Sequence, residues 1–258
     1  MYEIIFSILI PFIGTILGSM MIYLIRKLNN FMLKAFSGFA GGVMVAASVW
    51  SLIIPAFEAS GDFGKLSFIP ILVGLWLGFG FLMLLDRVIP HMHANSDEAE
   101  GPKTNLKKST MTSLAVALHN LPEGIAVGVV LASSQAQNTD ITVAMAIALA
   151  VGIAVQNFPE GAIVSISLNS NGVSKNKSFL FGVLSGAVEP IGAALTMLLI
   201  NFIHPALPYL LSFAAGAMLY VVVEELIPDM VGGEHSHTGT IFFGIGFSIM
   251  LILDVLLG

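Results

Sequence analysis

Two short motifs in this chain carry side chains that bind metals, although both lie in strongly apolar sequence. They are His119-Asn120-Leu121-Pro122-Glu123-Gly124 and Gln156-Asn157-Phe158-Pro159-Glu160-Gly161. Each copy offers a carboxylate and amide oxygens, and the first adds an imidazole. Such donors suit Zn²⁺, Mn²⁺ or Fe²⁺, whereas Cu(I) seeks the thiolates that this cysteine-free chain lacks. The motifs therefore predict the binding of a divalent transition metal by nitrogen and oxygen ligands.

Helical spacing would bring the polar groups of each motif onto one face. Residues four apart share a face of an α-helix, so His119 lies beneath Glu123 and Gln156 beneath Glu160. The proline in each motif removes a backbone donor, which predicts a kink and a freed carbonyl oxygen one turn earlier. A third acid, Glu189, lies in a later apolar stretch and is expected to join the same site.

The composition places these motifs in a membrane. The chain has 258 residues, of which 56% are hydrophobic and 10% charged, with a mean hydropathy of +0.92. Soluble globular domains do not reach such values. Eight stretches are long and apolar enough to cross a bilayer, at roughly 4–25, 35–57, 68–89, 110–133, 141–167, 178–200, 207–228 and 240–257. We predict an all-α membrane protein that forms a single transmembrane domain, 1–258.

The basic residues predict the orientation of the spans. With eight spans, nine of the ten Lys and Arg residues fall on one side: Arg26, Lys27, Lys34, Arg87, Lys103, Lys107, Lys108, Lys175 and Lys177. The positive-inside rule makes that side cytoplasmic and both termini extracytoplasmic. The loop at 90–109, between spans three and four, is then cytoplasmic, in a plasma or inner membrane. The net charge of −6 comes with no basic stripe that would indicate nucleic acid as a partner.

Carboxylates inside a membrane need a counter-ion. An intramembrane acid costs about 2.5–3.5 kcal/mol even on the most permissive insertion scale. No Lys or Arg lies within the apolar part of a predicted span to neutralise Glu123, Glu160 and Glu189. A mobile cation is the most economical partner for these acids. The alternative is that the motif side chains form interhelical hydrogen bonds and that the acids are protonated.

The outer spans resemble one another in order. Phe39-Ala40-Gly41-Gly42-Val43-Met44 of span two recurs as Phe213-Ala214-Ala215-Gly216-Ala217-Met218 of span seven. Gly78-Phe79-Gly80-Phe81 of span three resembles Gly244-Ile245-Gly246-Phe247 of span eight, and Gly14 more weakly resembles Gly192. These similarities predict a 3+2+3 arrangement, in which inverted repeats of spans 1–3 and 6–8 flank a central pair, spans 4 and 5.

Several groups outside the motifs are candidate pathway residues that attract or receive cations near the two mouths: Glu58, Glu225, His91, His93, His235 and His237. An ordinary exposed loop or helix-end residue is the simpler interpretation of each.

The paired motifs resemble the fourth and fifth helices of the ZIP family of metal transporters. Further matches resemble its GufA-like branch: Ser51-Leu52-Ile53-Ile54-Pro55, Gly186-Ala187-Val188-Glu189-Pro190 and Glu224-Glu225-Leu226-Ile227-Pro228. The resemblance implies a one- or two-metal site midway through the membrane, formed by His119, Asn120, Glu123, Gln156, Asn157, Glu160 and Glu189. It also implies uptake of divalent metals towards the cytoplasm, a homodimer, and an elevator-type motion of one helix bundle against another.

Zinc is the leading substrate on this reading, with manganese, iron and cadmium as further candidates and no prosthetic group. Gln156 stands where many ZIP sequences have His, which leaves narrow zinc specificity open. The rival hypotheses are a metal exporter or exchanger, a membrane metal sensor that does not transport, and an intramembrane metalloenzyme. The chain lacks the H-E-x-x-H spacing of many metalloenzymes, so we expect no enzyme.

Overall fold

The computed structural model describes residues 2–92, 100–135, 140–203 and 206–258 of the chain. In these ranges the protein is helical, and the only strand-like feature is an isolated antiparallel bridge between His91 and Glu100. The helices are α1 (Tyr2–Met20), α2 (Asn30–Ala47), α3 (Ile54–Glu58), α4 (Phe68–Val88), α5 (Lys108–Ser133), α6 (Val143–Ser170), α7 (Lys175–Gly186), α8 (Val188–Ile203), α9 (Leu207–Val221), α10 (Ile227–Val231) and α11 (Thr238–Leu257). The prediction of an all-α protein is confirmed.

These helices form eight segments that are long and apolar enough to cross a membrane. They are Tyr2–Tyr23, Asn30–Glu58, Phe68–Val88, Lys108–Ser133, Val143–Ser170, Lys175–Leu199, Leu207–Val231 and Thr238–Leu257. Each predicted stretch is therefore confirmed as a helical segment, with ends that differ by a few residues. Spans four and five, which carry the motifs, are the long helices α5 and α6.

Polar residues set the beginnings of two of these helices. Asn29 precedes α2, and its side-chain oxygen accepts a hydrogen bond of 2.8 Å from the backbone N–H of Met32. Thr142 precedes α6 and accepts one of 3.1 Å from the N–H of Met145. A side-chain acceptor at this position satisfies a first-turn donor that has no partner within the helix.

Spans two and seven share an uncommon backbone feature. In span two, a π-helical segment, Ser48–Ile53, joins α2 to α3, and in span seven another, Val222–Leu226, joins α9 to α10. Each short helix that follows has proline in its first turn, Pro55 or Pro228. Such π-helical turns are rare and occur frequently at functional sites.

The helices pack in two groups. In the first, α1 lies along α6, and α5 lies along α7 and α8. In the second, α2 lies along α11 and α4 lies along α9. The two groups meet mainly where α6 contacts α2 and α11, and where α5 contacts α9. Spans one, four, five and six thus form one body, and spans two, three, seven and eight form the other.

Matching polar contacts join helices of the second group. The Tyr220 hydroxyl on α9 donates to Asp86 Oδ2 on α4 at 2.5 Å. The Ser51 hydroxyl of span two donates to Asp254 Oδ1 on α11 at 2.8 Å. Each pair gives a carboxylate near the end of one span a hydroxyl partner on the neighbouring span.

Lys34 lies further inside a helix than the sequence prediction placed it. It belongs to α2, is 5% exposed, and its ammonium group donates to the carbonyl oxygen of Glu234 and the hydroxyl of Ser236. The contact connects span two to the loop between spans seven and eight. Lys34 is therefore paired with that loop.

Candidate metal centre

The two motifs lie within helices that their prolines do not interrupt. Pro122 is inside α5 and Pro159 inside α6, and both helices continue for about ten residues beyond the proline. The interruption in this part of the fold is in span six, where α7 ends at Gly186 and α8 begins at Val188. The kinks expected at these prolines stay a prediction, whereas the interruption of span six lies beside Glu189.

Gln156 and Glu123 connect the central pair of helices. The amide nitrogen Nε2 of Gln156 donates to Glu123 Oε1 at 2.5 Å and makes a longer contact, 3.4 Å, with Asn157 Oδ1. Glu123 and Gln156 are both fully buried, and Asn157 is 1% exposed. One oxygen of the Glu123 carboxylate is thus held by a neutral donor, while its other oxygen, Oε2, has no hydrogen-bond partner among the described residues.

Glu189 is held in the same one-sided way. Its Oε1 accepts hydrogen bonds from the Thr15 hydroxyl of span one, at 2.8 Å, and from Asn120 Nδ2 of span four, at 3.1 Å. Its Oε2 is buried and makes no hydrogen bond within the described part of the chain. Glu189 therefore joins spans one, four and six and leaves one oxygen available.

Asn120 is oriented by the break in span six. Its Nδ2 also donates to the carbonyl oxygen of Ser185 at 3.2 Å. That carbonyl belongs to the last turn of α7, where helical carbonyls lack intrahelical partners. A carbonyl oxygen can only accept, so the amide nitrogen must face Ser185 and the oxygen Oδ1 must point away. The break in span six thus sets the direction of a candidate metal ligand.

Unpaired oxygens accumulate at this site. The following buried oxygens have no hydrogen-bond partner among the described residues: Asn120 Oδ1, Glu123 Oε2, Gln156 Oε1, Glu160 Oε1 and Glu189 Oε2. They come from three spans and include three carboxylates. Buried polar atoms are nearly always paired in folded proteins, and unpaired ones need an explanation. Cations bound beside these oxygens would provide the missing interactions.

The carboxylates and imidazole do not by themselves form a closed cage. Within the described ranges, no three His, Asp or Glu side chains are grouped closely enough to hold a metal ion. A ligand set at this site must therefore include amide oxygens, such as those of Asn120 and Gln156. Oxygen-rich, mixed sets of this kind suit several divalent metals.

His119 contacts an acid from the other helix group. Its Nδ1 is in close contact with Oε2 of Glu225, a residue in the π-helical segment of span seven. His119, Glu160, Glu225 and Asp229 line a small cavity of about 30 Å³. This volume is comparable with the space that one water molecule takes in the liquid. The cavity is thus large enough for a single small ion or water beside the motif residues.

The other candidate pathway residues lie apart from this centre. Glu58 is exposed at the end of α3, and His235 and His237 are exposed with ring centroids 5.1 Å apart. His91 is fully buried, and its Nε2 lies 3.6 Å from Asp86 Oδ1 and 3.8 Å from Glu100 Oε2. His93 lies outside the described residues.

Sequence reasoning missed Thr15 and Asp229 and placed Glu225 only near a mouth. No motif marks Thr15, and a lone threonine in an apolar helix gives no signal without knowledge of its neighbours. Glu225 and Asp229 are acids within one apolar span, and their spacing of four residues could have indicated a shared helical face.

A larger cavity, about 570 Å³, has no part in this centre. It lies between α1, α2, α6 and α11, and apolar side chains form most of its wall, including Ile13, Leu17, Phe36 and Phe242. Phe158 of the second motif reaches it, on the side of α6 away from Gln156. Its apolar lining offers no metal ligands.

Comparisons with known proteins agree with the motif resemblance. The family model described as ZIP Zinc transporter matches residues 111–254. Human "Zinc transporter ZIP11" is 31% identical, with 95% of this chain and 94% of the relative covered. "Zinc transporter GufA" of Myxococcus xanthus is 32% identical, with 95% of each chain covered. "Zinc transporter ZIPB" of Bordetella bronchiseptica is 34% identical, over 96% of this chain and 79% of the relative.

Proposed function

Because this chain belongs to the ZIP family of zinc transporters, we propose that it transports divalent transition-metal ions through the centre between α5, α6 and α8. The relatives' names describe transporters of zinc, so Zn²⁺ is the first substrate to test, followed by Mn²⁺, Fe²⁺ and Cd²⁺. The family points to a transporter and not to an enzyme. The metal is cargo here and not a resident cofactor.

The set of unpaired buried oxygens carries this proposal. We assign ligand roles to His119, Asn120, Glu123, Gln156, Asn157, Glu160 and Glu189. A site of hydrogen-bond contacts alone would pair its oxygens with donors, as Gln156 does for one oxygen of Glu123. Instead, each of the three carboxylates, those of Glu123, Glu160 and Glu189, keeps an oxygen that has no hydrogen-bond partner among the described residues. Partial pairing of this kind, which Glu123 and Glu189 show, would leave these two carboxylates oriented and still able to bind a cation that arrives and departs.

The helix grouping supports an elevator-type motion. All seven proposed ligands belong to the group of spans one, four, five and six. A metal bound to them would travel with that group as a rigid unit when it slides along spans two, three, seven and eight. Glu225 belongs to the second group, so its contact with His119 would have to break during such a motion.

Close helix contacts support the proposed inverted repeats. A Cβ atom added at Gly78 would lie 2.2 Å from the carbonyl oxygen of Phe213, and one at Gly246 would lie 2.1 Å from that of Phe39. Phe39 and Phe213 are the first residues of the similar segments in spans two and seven. By these contacts, Gly78 in span three is equivalent to Gly246 in span eight. The glycine-phenylalanine pattern in the sequence aligned Gly78 with Gly244, two residues earlier.

The contacts of the two motif glycines indicate that spans one and six are also equivalent in the repeats. A Cβ at Gly124 would lie 2.4 Å from the carbonyl oxygen of Glu189, and one at Gly161 would lie 2.5 Å from that of Thr15. Because Gly124 and Gly161 hold the same place in the two motifs, Thr15 and Glu189 correspond. When span one is aligned with span six so that Thr15 matches Glu189, Gly18 matches Gly192. The sequence similarity had instead suggested Gly14 as the equivalent of Gly192. We propose a 3+2+3 fold with these correspondences.

We further propose that the 30 Å³ cavity lies on the cytoplasmic side of the metal centre. It is lined by Val116, which precedes His119 in span four, and by Ile163, which follows Glu160 in span five. With both termini outside, these residues lie on the cytoplasmic side of the motifs. Glu225 and Asp229 are then the first acids that an ion would meet after it leaves the metal centre towards the cytoplasm.

Transport towards the cytoplasm needs no motor on this chain. A dication that crosses 100 mV, inside negative, gains roughly 4.6 kcal/mol, twice the value for a single charge. We propose a multi-pass protein of a plasma or inner membrane that acts as a homodimer in the lipid bilayer. Chemical cross-linking in membranes, followed by separation in detergent, tests the dimer independently of transport.

The decisive experiment is metal uptake into proteoliposomes that hold the purified protein. Zn²⁺, Mn²⁺, Fe²⁺ and Cd²⁺ are tested separately, with Glu123→Ala and protein-free vesicles as controls. We expect saturable Zn²⁺ uptake that Glu123→Ala abolishes. Tight zinc binding without flux would overturn the transport proposal in favour of a sensor or an enzyme, and uptake that Glu123→Ala leaves intact would overturn the site.

A further inference from the structure

Thr15 lies outside both motifs but contacts a proposed metal ligand directly. It is 2% exposed in span one, and its hydroxyl donates to Glu189 Oε1 at 2.8 Å. The same oxygen also accepts from Asn120 Nδ2 at 3.1 Å. A carboxylate oxygen offers about two lone-pair sites, so these two donors use the hydrogen-bonding capacity of Oε1. Only Oε2 of Glu189 remains for a metal.

The surroundings of Thr15 fix this arrangement. A Cβ added at Gly186 would lie 2.7 Å from Thr15 Cγ2 and 2.9 Å from Glu189 Oε1. A Cβ added at Gly161 would lie 2.5 Å from the Thr15 carbonyl oxygen. The backbones at Gly161 and Gly186 therefore pack tightly against Thr15. In addition, a β-branched side chain in a helix has few χ1 rotamers, which limits where the hydroxyl can point. The hydroxyl is held towards Glu189 by its packing.

We infer that Thr15 is a positioning residue for metal selectivity, which holds Glu189 as a one-oxygen ligand. This inference rests on the proposed transport function. Zn²⁺ generally takes four ligands, with carboxylate oxygens at about 2.0–2.2 Å. Mn²⁺ suits oxygen-rich sites of six ligands, in which the second oxygen of a carboxylate can serve as a further ligand. By occupying Oε1, Thr15 withholds that second oxygen and disfavours Mn²⁺ relative to Zn²⁺.

The test compares Zn²⁺ and Mn²⁺ uptake by variants at this position. Thr15→Val removes the hydroxyl with little change in volume, and Thr15→Ala removes it while leaving room for the carboxylate to turn. In both, we expect the ratio of kcat/KM for Mn²⁺ to that for Zn²⁺ to rise roughly three- to tenfold, which is the effect of one ordinary hydrogen bond. Thr15→Ser keeps the hydroxyl, so this variant is expected to have the wild-type ratio of Mn²⁺ to Zn²⁺ uptake.

Thr196→Val is the matched control. The Thr196 hydroxyl donates at 2.8 Å to the Gly192 carbonyl oxygen within the same helix, α8. The substitution is chemically identical but does not change the hydrogen bonding of Glu189. We expect Thr196→Val to leave the metal ratio at its wild-type value.

A purely structural role for Thr15 would lower uptake of both metals alike. An unchanged ratio in Thr15→Val and Thr15→Ala, with folded protein in each, would therefore overturn the inference. If one variant does not fold, the other still tests the same hydroxyl. If the wild-type protein takes up no metal, the transport function fails instead. Competitive Zn²⁺ and Mn²⁺ binding to the purified variants then decides the role of Thr15 separately.

Discussion

The Nδ1 atom of His119 on α5 contacts Oε2 of Glu225 on span seven, which joins the two packed groups of helices at the metal centre. The His119 side chain is 5% exposed and that of Glu225 is 18% exposed. The imidazole is a proposed metal ligand, while the carboxylate belongs to the group that carries none of the other proposed ligands. In the proposed site this contact would compete with a metal for His119, and in the proposed elevator-type motion it would have to break.

Substitution of Glu225 by Gln should slow transport without weakening entry of the metal. Gln keeps the size of the side chain but no longer attracts an ion into the small cavity that Glu225 and Asp229 line. We expect the maximal rate of zinc uptake to fall about tenfold, the effect of losing roughly 1.4 kcal/mol at a barrier, with no rise in KM. Initial rates of zinc uptake into proteoliposomes over a range of zinc concentrations measure both quantities.

Glu224→Gln provides the control for this prediction. Glu224 lies in the same π-helical segment as Glu225, but its side chain is exposed and does not line the cavity. It should retain both kinetic parameters. A higher KM with an unchanged maximal rate in Glu225→Gln would show that Glu225 acts in metal capture, contrary to the assignment of an exit residue.

Glu123→Gln should separate metal binding from folding. The variant replaces a fully buried carboxyl group, one oxygen of which has no hydrogen-bond partner among the described residues, by a neutral amide of the same size. Without metal, we expect its melting temperature to be equal to that of the wild type or higher, because burial of a charge without a partner is unfavourable. Zinc at 100 times its Kd should stabilise the wild type by about 2.7 kcal/mol and the variant much less. Thermal melting in detergent with and without zinc makes the comparison.

Glu3→Gln serves as the surface control for Glu123→Gln. Glu3 is exposed in the first turn of α1, away from the motifs. Its loss should change neither the melting temperature nor the stabilisation by zinc. A zinc-induced shift of wild-type size in Glu123→Gln would contradict its role as a ligand.

The sequence predicted the spans and the buried polar faces well because both depend on local periodicity. An apolar stretch of bilayer length and a four-residue polar spacing can be read without knowledge of tertiary neighbours. His119, Asn120, Glu123, Gln156 and Asn157 are accordingly buried in the structure. Whether they bind metal stays a prediction.

Partners from distant spans could not be predicted in this way. The contact of Thr15 with Glu189 and that of His119 with Glu225 depend on which helices pack together, and no local pattern encodes this choice. The break in span six, at Ala187, was not predicted either, although Pro190 lies in the first turn of α8, where proline is tolerated. There, Asn120 satisfies the Ser185 carbonyl that the end of α7 leaves without a helical partner.

Asn120→Asp should damage the site although it adds a possible metal ligand. The Asn120 nitrogen donates to two acceptors, the carbonyl oxygen of Ser185 and the carboxylate of Glu189. An Asp oxygen in its place would face both acceptors and repel them. We expect a loss of about 1–3 kcal/mol in stability and weaker zinc binding, measured by thermal melting and by calorimetric titration with zinc.

Asn169→Asp tests whether the effect of Asn120→Asp is specific. The Asn169 side-chain nitrogen also donates to a backbone carbonyl, that of Val173, at 2.7 Å, but near the end of α6. Among the residues that the structure describes, no carboxylate accepts a hydrogen bond from Asn169, so Asn169→Asp should change zinc affinity little. Tighter zinc binding in Asn120→Asp would contradict the proposed orientation of the amide.

Gly124→Ala should disrupt the contact that places Glu189 beside the central helices. The added methyl group would lie 2.4 Å from the carbonyl oxygen of Glu189, so α5 and α8 would have to move apart. Overpacking of this kind costs typically about 1–3 kcal/mol, and the displaced Glu189 should weaken zinc binding as well.

Gly244→Ala is the matched control, because nothing lies within 4 Å of its added methyl group in α11. Alanine favours a helix over glycine by roughly 1 kcal/mol, so Gly244→Ala should be neutral or stabilising. Thermal melting and zinc uptake of both variants test the contact, and a Gly124→Ala protein as stable and active as Gly244→Ala would show that α5 and α8 need not approach so closely.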